Sequence, residues 1–414
     1  MSSRRQFVKG ASLLGLGINW ASLIPTVRLM GSNTEGVDWG HVRDLFPIST
    51  WEKIYLNSGS AGVMPTPVQD HLIELIKKVN SKAPYEVLGE WQEIKASNLS
   101  RLAEMTNCGH GELQIVRNTT EALNMIIYGL TLDNGDEVVM GQQDYPFAKN
   151  AWLNRAKRDD LIIKEVDLQI PAHDEEILAA YDKLITDKTE VVHITHITHR
   201  EGHIMPVKKL TALAHSKGAQ VVVDGAHSVA NINLDLKDLD CDYFASSLHK
   251  WLNAPLGTGL LYVKEEKIKD LYNHPSSHLE AYDSINKFEH LGTRAWANEM
   301  GISAALDFHE ALGHENKMNR LQELKEYWTG QLMDVDNFKL KTWIEPRYSR
   351  AVATFSLDNV SNGKILNSLN RDYNIHAKSV GGIGGGGIRV SPNVFTTEEE
   401  LDQLVFAIRK LSQE

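Results

Sequence analysis

Val221-Val-Val-Asp-Gly-Ala-His-Ser228 is a run of valines that ends in an acid, a glycine and a histidine. Further along, Phe244-Ala-Ser-Ser-Leu-His-Lys-Trp251 is a short apolar run that ends in serine, histidine and lysine, followed by Pro255-Leu-Gly-Thr-Gly259. Both runs are predicted to be buried parallel strands that deliver polar groups at their C-terminal ends. In an open α/β sheet that edge is where ligands sit. An acid on one strand end and a lysine just past another are the minimal apparatus for holding a pyridine aldehyde.

Pyridoxal phosphate would make five demands on such a chain. A lysine must form a Schiff base, and an acid must face the pyridine nitrogen so that the ring stays protonated. An anion cradle must hold the phosphate, a flat group must stack on the ring, and a cation should take a substrate carboxylate. Lys250 meets the first demand, on a loop shaped by Pro255 and Gly257. Asp224 meets the second, at the end of a valine run where an unpaired carboxylate is costly. Thr119 and Thr120 sit at the start of a helix whose free N–H groups form an anion site, and Ser247 and His249 can complete it. Tyr145, beside Pro146 at a strand end, is the stacking candidate, and Arg389 in Gly387-Ile-Arg-Val-Ser391 is the carboxylate candidate. Each has a plainer reading. Asp224 could cap a helix, Lys250 could be a surface lysine, Arg389 an ion-pair partner, and the threonines simple helix caps. Their joint occurrence is what points to a cofactor.

The elements that must position these residues alternate. Strands are predicted over Leu113–Val116, Asp136–Met140, Leu161–Val166, Val191–Ile197 and from Val221. Helices begin at Asn118 and run over Asn150–Lys157, Ile177–Ile185 and Lys208–His215. This βαβ spacing predicts an α/β fold, a mostly parallel sheet with helices on both faces. Ahead of it, Ile54 to Pro65 reads as a short strand running into a Gly- and Ser-rich turn, then helices over Pro67–Val79 and about 91–107. After about residue 295 the pattern becomes a long helix (roughly 298–333), short strands at Ala351–Leu357 and Ile388–Ser391, and helices at Lys364–Arg371 and Glu398–Leu411. The expected organisation is a terminal signal (1–35), a lead-in with a large domain (36–295) and a smaller α+β domain (296–414).

The chain has 414 residues, 42% apolar and 23% charged, enough for two or three domains with ample core. A net charge of -11 argues against a nucleic-acid backbone as the main partner. Its two cysteines, Cys108 and Cys241, supply neither a disulfide framework nor a multi-thiolate metal site. Ser3-Arg-Arg-Gln-Phe-Val-Lys9 precedes a modest apolar run, Ala11 to Ile24, which is shorter than the roughly 20 residues that span a bilayer. Paired arginines followed by such a run resemble a twin-arginine export signal, which predicts a periplasmic protein exported folded, either cleaved or tethered by its signal. His193, His196, His199 and His203 do not make a metal site on this reading. At roughly 3.3 Å per residue, His193 and His199 lie about 20 Å apart along a strand. The run Gly381-Gly-Ile-Gly-Gly-Gly-Gly387 lacks the Gly-Lys-Ser/Thr ending of a nucleotide loop and reads as a loop bordering the site.

Ala214-His-Ser-Lys-Gly-Ala-Gln-Val-Val-Val-Asp-Gly-Ala-His227 and Asp242 to Tyr262 resemble the pyridoxal-binding core of class V aminotransferase-type enzymes of fold type I. That group includes cysteine desulfurases, selenocysteine lyases and isopenicillin N epimerase. The resemblance extends from Tyr55-Leu-Asn-Ser-Gly59 to Thr396-Thr-Glu-Glu-Glu400. It implies a large domain around a mostly parallel, seven-stranded-type sheet, and Lys250, Asp224, Thr119, Thr120, Ser247, His249, Tyr145 and Arg389 in the roles above. It places His227 at the ring oxygen and His199 as a polar ring contact. It also implies that Gly292-Thr-Arg294 reaches the phosphate of a neighbouring subunit through Thr293, hence a homodimer with shared sites. Cysteine desulfurases carry a cysteine on a loop before the arginine, but Ile375-His-Ala-Lys-Ser-Val380 and the glycine run have none. The His-Lys-Trp triplet and the Gly-Thr-Arg segment are closer to the isopenicillin N epimerase-like branch. The expectation is an epimerase or aminotransferase acting on an amino-acid-like small molecule. A β-elimination or C–S lyase and a non-catalytic binding protein are the alternatives.

Overall fold

A computed structural model of the chain describes residues 36–81, 83–272, 281–381 and 386–414. The signal segment and residues 382–385 of the glycine run lie outside the described residues. The strands in chain order are β1 (Ile54–Tyr55), β2 (Leu113–Val116), β3 (Glu137–Gly141), β4 (Ile162–Val166), β5 (Thr189–Thr195), β6 (Gln220–Asp224), β7 (Tyr243–Ser247) and β8 (Gly259–Val263). Then follow β9 (Phe338–Leu340), β10 (Ala353–Leu357), β11 (Ile375–His376), β12 (Lys378–Val380) and β13 (Gly387–Val390).

The large sheet has seven strands in the order β2-β8-β7-β6-β5-β3-β4. Its pairs from β7 to β4 are parallel, and β8 runs antiparallel to both its neighbours. The valine run of β6 follows from burial on both faces. Val221 and Val223 pack into one apolar layer with Ile194, Phe244 and Leu260, while Val222 packs into the other with Val191, Tyr243, Ala245 and Leu261. Register then fixes the site. Asp224 pairs with Thr195 on one side and Ala245 on the other, so three parallel strands end at one edge. The chain turns away from Asp224 at Gly225, where any side chain would collide with the Phe244 ring.

The second sheet is antiparallel, in the order β12-β13-β10-β9. It shares an apolar core with helices Asn362–Arg371 and Glu398–Leu411. The lead-in joins this part of the molecule: β1 pairs in parallel with β11, Asn57 bridges Ser391, and Ile54 and Leu56 enter the same core. The single long helix expected over 298–333 is three helices, Trp296–Met300, Ile302–Leu312 and His314–Gly330. The last break is at Gly313, whose φ of +78° suits glycine and not a helix interior. Amphipathic polarity continues across that break, which is why the sequence reads as one helix.

Candidate active site

Lys250 follows β7 by a short loop, and a close backbone approach holds that loop. Gly62 N–H donates to the His249 carbonyl at 2.9 Å, and a side chain at 62 would strike the carbonyls of His249 and Lys250. The lysine lines a cavity of about 270 Å³ at the sheet edge. Asp224 is the only acid among the lining residues. Its Oδ1 accepts from Ala226 N–H at 3.0 Å. Burial pushes the Asp224 carboxyl up, against the opposing influence of His193. Burial also brings Lys250 down to about 8, against the pull of Asp224. Among the described residues neither Asp224 nor Arg389 forms an ion pair with an oppositely charged side chain. A buried carboxylate without a cation suits a pyridinium, and a depressed lysine suits amine chemistry.

At one end of the cavity, helix Thr119–Gly129 points its N-terminus inward. Asn118 caps it, its Oδ1 accepting from Glu121 N–H at 2.9 Å. Thr119 Oγ1 and Ser247 Oγ are 2.7 Å apart, and Thr119 N–H donates to Ser247 Oγ at 3.2 Å. His249 Nδ1 donates to the Thr258 carbonyl at 3.0 Å, which fixes the ring at the cavity wall. Hydroxyls, helix N–H groups and an imidazole fit a phosphate.

The other end is cationic. Arg389 is 2% exposed. It donates to the His199 carbonyl at 2.7 Å, Asn57 Oδ1 at 3.0 Å and Ser60 Oγ at 2.8 Å. Burial brings it down to about 10. Lys378 Nζ lies 3.4 Å from the same Ser60 hydroxyl, so two cations share one oxygen. Tyr145 meets the His199 ring edge-on at 5.2 Å between centroids. Burial holds His199 down to about 3, and its Nδ1 is buried without a partner.

The cavity therefore gathers Thr119, Thr120, Tyr145, His199, Asp224, His227, Ser247, His249, Lys250 and Arg389. Thr293 is not among its lining residues. It lies exposed just before helix Trp296–Met300, beside an Arg294 paired with Glu299 at 2.8 Å. Three site residues were not expected from the sequence. Asn57, Ser60 and Lys378 arrive through the β1–β11 pairing. Asp144 is a further buried acid, raised by burial to about 6, that holds Gly141 and Thr195 N–H groups and so joins the ends of β3 and β5. A turn acid directly before Tyr145 was the available signal. His193 and His196 make separate contacts, to Trp152 at 3.3 Å and Ser228 at 3.0 Å.

A model of the family described as aminotransferase class-V matches residues 54–404. Isopenicillin N epimerase of Amycolatopsis lactamdurans is 26% identical over 379 residues, covering 86% of this chain and 95% of that protein. Cysteine desulfurase of Haloferax volcanii is 28% identical over 385 residues, covering 86% and 88%. Among solved structures, the apo cysteine desulfurase of Thermococcus onnurineus matches with a TM-score of 0.79 at 21% identity, over 90% of this chain and 97% of that one. That likeness shows a shared fold, the pyridoxal phosphate fold type I.

Proposed function

From the premise that this chain belongs to the aminotransferase class-V family, and is thus a pyridoxal phosphate enzyme, we propose that it acts at Cα of an amino-acid-like substrate, as an epimerase or aminotransferase. The carrying observation is the lining of the cavity, which brings together one buried acid, one depressed lysine and a buried arginine. Bound pyridoxal phosphate supplies an electrophilic carbonyl and an electron-withdrawing ring that makes a substrate Cα–H acidic. Asp224 would hold the ring's positive charge, and Thr119, Thr120, Ser247 and His249 would hold the phosphate. Arg389 would bind the substrate carboxylate and so orient Cα. Lys250, lowered to about 8, is partly neutral near pH 7 and can take the Cα proton and return it. Return of the proton to the opposite face would give the epimer; a keto acid would be released where the amino group is instead kept by the cofactor.

Support for these outcomes over persulfide chemistry comes from the cysteines. Cys108 and Cys241 are buried, their thiols pushed up by burial, and neither lines the cavity. The 28% identity to a cysteine desulfurase keeps β-elimination as the second reading. We also propose a homodimer in which Thr293 completes a second copy's site, and export through the twin-arginine signal. Light scattering and cell fractionation test these two.

The deciding experiment incubates the loaded enzyme with single amino acids in D2O. Cα deuteration with inversion marks an epimerase, a keto acid an aminotransferase, and pyruvate from a β-substituted substrate a lyase. Deuteration that persists unchanged in Lys250→Ala would refute the role given to Lys250.

A further inference from the structure

Trp251 follows Lys250 in the chain and is fully buried. Its indole Nε1 lies 3.3 Å from His227 Nδ1. An indole nitrogen can only donate, so Nδ1 of His227 must present a lone pair. A neutral imidazole carries one N–H, which is then on Nε2. Nε2 is 3.4 Å from Lys250 Nζ. A second proton on the ring would have to sit on Nδ1, directly opposed to the indole N–H. Burial and the positive charges of Lys250, Arg389 and Lys378 also hold His227 well below the usual histidine range.

We infer that Trp251 is a positioning residue that locks His227 in its Nε2–H tautomer, so that His227 is a fixed hydrogen-bond donor toward Lys250 and the cofactor space and not a proton acceptor. This rests on reading the cavity as a pyridoxal phosphate site only for its functional meaning; the tautomer follows from the indole contact alone. The main chain that carries the indole is held in turn. Lys317, on helix His314–Gly330, donates from a buried Nζ to the Trp251 backbone carbonyl and, at 3.2 Å, to Asn253 Oδ1. The indole itself is fully enclosed, with no exposed surface. A second indole makes the same kind of contact to a histidine that acts on Asp224: Trp152 Nε1 lies 3.3 Å from His193 Nδ1.

The consequence falls on Lys250. An Nε2–H can donate to the lone pair of a neutral amine, but it offers nothing to an ammonium group. The lock therefore favours the free amine, the form that reacts with a carbonyl. It acts alongside the other groups facing Nζ: Asp224, which favours the ammonium, and Arg389, Lys378, His199 and His249. Without the indole N–H, His227 could turn its lone pair on Nε2 toward Lys250 and accept from the ammonium.

Two measurements test this. In the full chain freed of cofactor, the pH dependence of Lys250 acylation, read by peptide mass spectrometry, reports its pKa. Trp251→Phe should move the midpoint up by about one pH unit. The same substitution in a His227→Asn background should move it no further. An unchanged midpoint, or an equal shift in both backgrounds, overturns the inference, because a merely structural tryptophan would act regardless of residue 227. The second measurement reads the tautomer of the wild-type chain directly. Among the neutral imidazoles in its histidine nitrogen NMR spectrum, the one that disappears in His227→Asn should have a protonated Nε2 and a bare Nδ1. A proton on Nδ1 would overturn it outright.

Discussion

Arg389→Met separates function from stability in a way the structure lets us size. The guanidinium is 2% exposed and brought down to about 10, chiefly by burial. That depression corresponds to about 3 kcal/mol of unfavourable charge burial in the empty site. Its three hydrogen bonds, to the His199 carbonyl, Asn57 Oδ1 and Ser60 Oγ, contribute about 1 kcal/mol each to folding. The two nearly cancel, so the cofactor-free Met variant should stay within about 1 kcal/mol of wild type in denaturant unfolding. Substrate capture should not be spared. A carboxylate bound by a buried guanidinium gains two charge-assisted hydrogen bonds of about 2 kcal/mol each. Their loss predicts a fall in kcat/KM of about a thousandfold. Calorimetry of the empty protein and steady-state rates on whichever amino acid exchanges its Cα proton check both halves. A variant that loses much of its stability would show Arg389 to be structural. One that turns over normally would move the carboxylate site elsewhere.

Two further predictions follow from the other cations. Lys317 is fully buried and lowered by burial to about 7, so the folded chain binds fewer protons than the unfolded chain between pH 7 and 10.5. Its contribution therefore makes stability rise with pH across that window, with the penalty present in full below it; Lys317→Met should flatten that rise in pH-dependent denaturant unfolding. Lys378, beside Arg389 on the Ser60 hydroxyl, should bind a second acidic group on the substrate. Lys378→Met should then raise KM about fivefold for amino acids with an acidic side chain and leave alanine unchanged, and an equal effect on both would place Lys378 at the shared carboxylate instead.

What the sequence reveals of this site follows the distance over which each part is assembled. Asp224, His227, Ser247, His249 and Lys250 lie on two strand ends adjacent in the sheet, and the valine runs that bury those strands are visible in the chain itself. Thr119 and Thr120 are marked by a helix start, again a local signal. Asn57, Ser60 and Lys378 are different. They come together because a two-residue strand, Ile54–Tyr55, pairs with Ile375–His376, a contact that no local pattern announces. The long helix expected over 298–333 failed for a related reason, since polarity persists through Gly313 while the backbone does not. Asp144 reads as an ordinary turn acid until its two backbone partners, on Gly141 and Thr195, are seen.

The division has a functional edge. The groups that make and move the proton are encoded within one short stretch of chain, whereas the cationic wall that would meet the substrate is built from segments more than three hundred residues apart in sequence, as with Arg389 and Ser60, 329 positions apart. β1 and the strands β11 to β13 can therefore vary the shape of that wall while β6 and β7 keep Asp224 and Lys250 in place, whereas a change in its charge also reaches Lys250 and His227. A change of substrate within this architecture should accordingly be sought at positions such as 57, 60 and 378, and a change of reaction at Trp251 and His227, which govern whether Lys250 meets a donor or an acceptor.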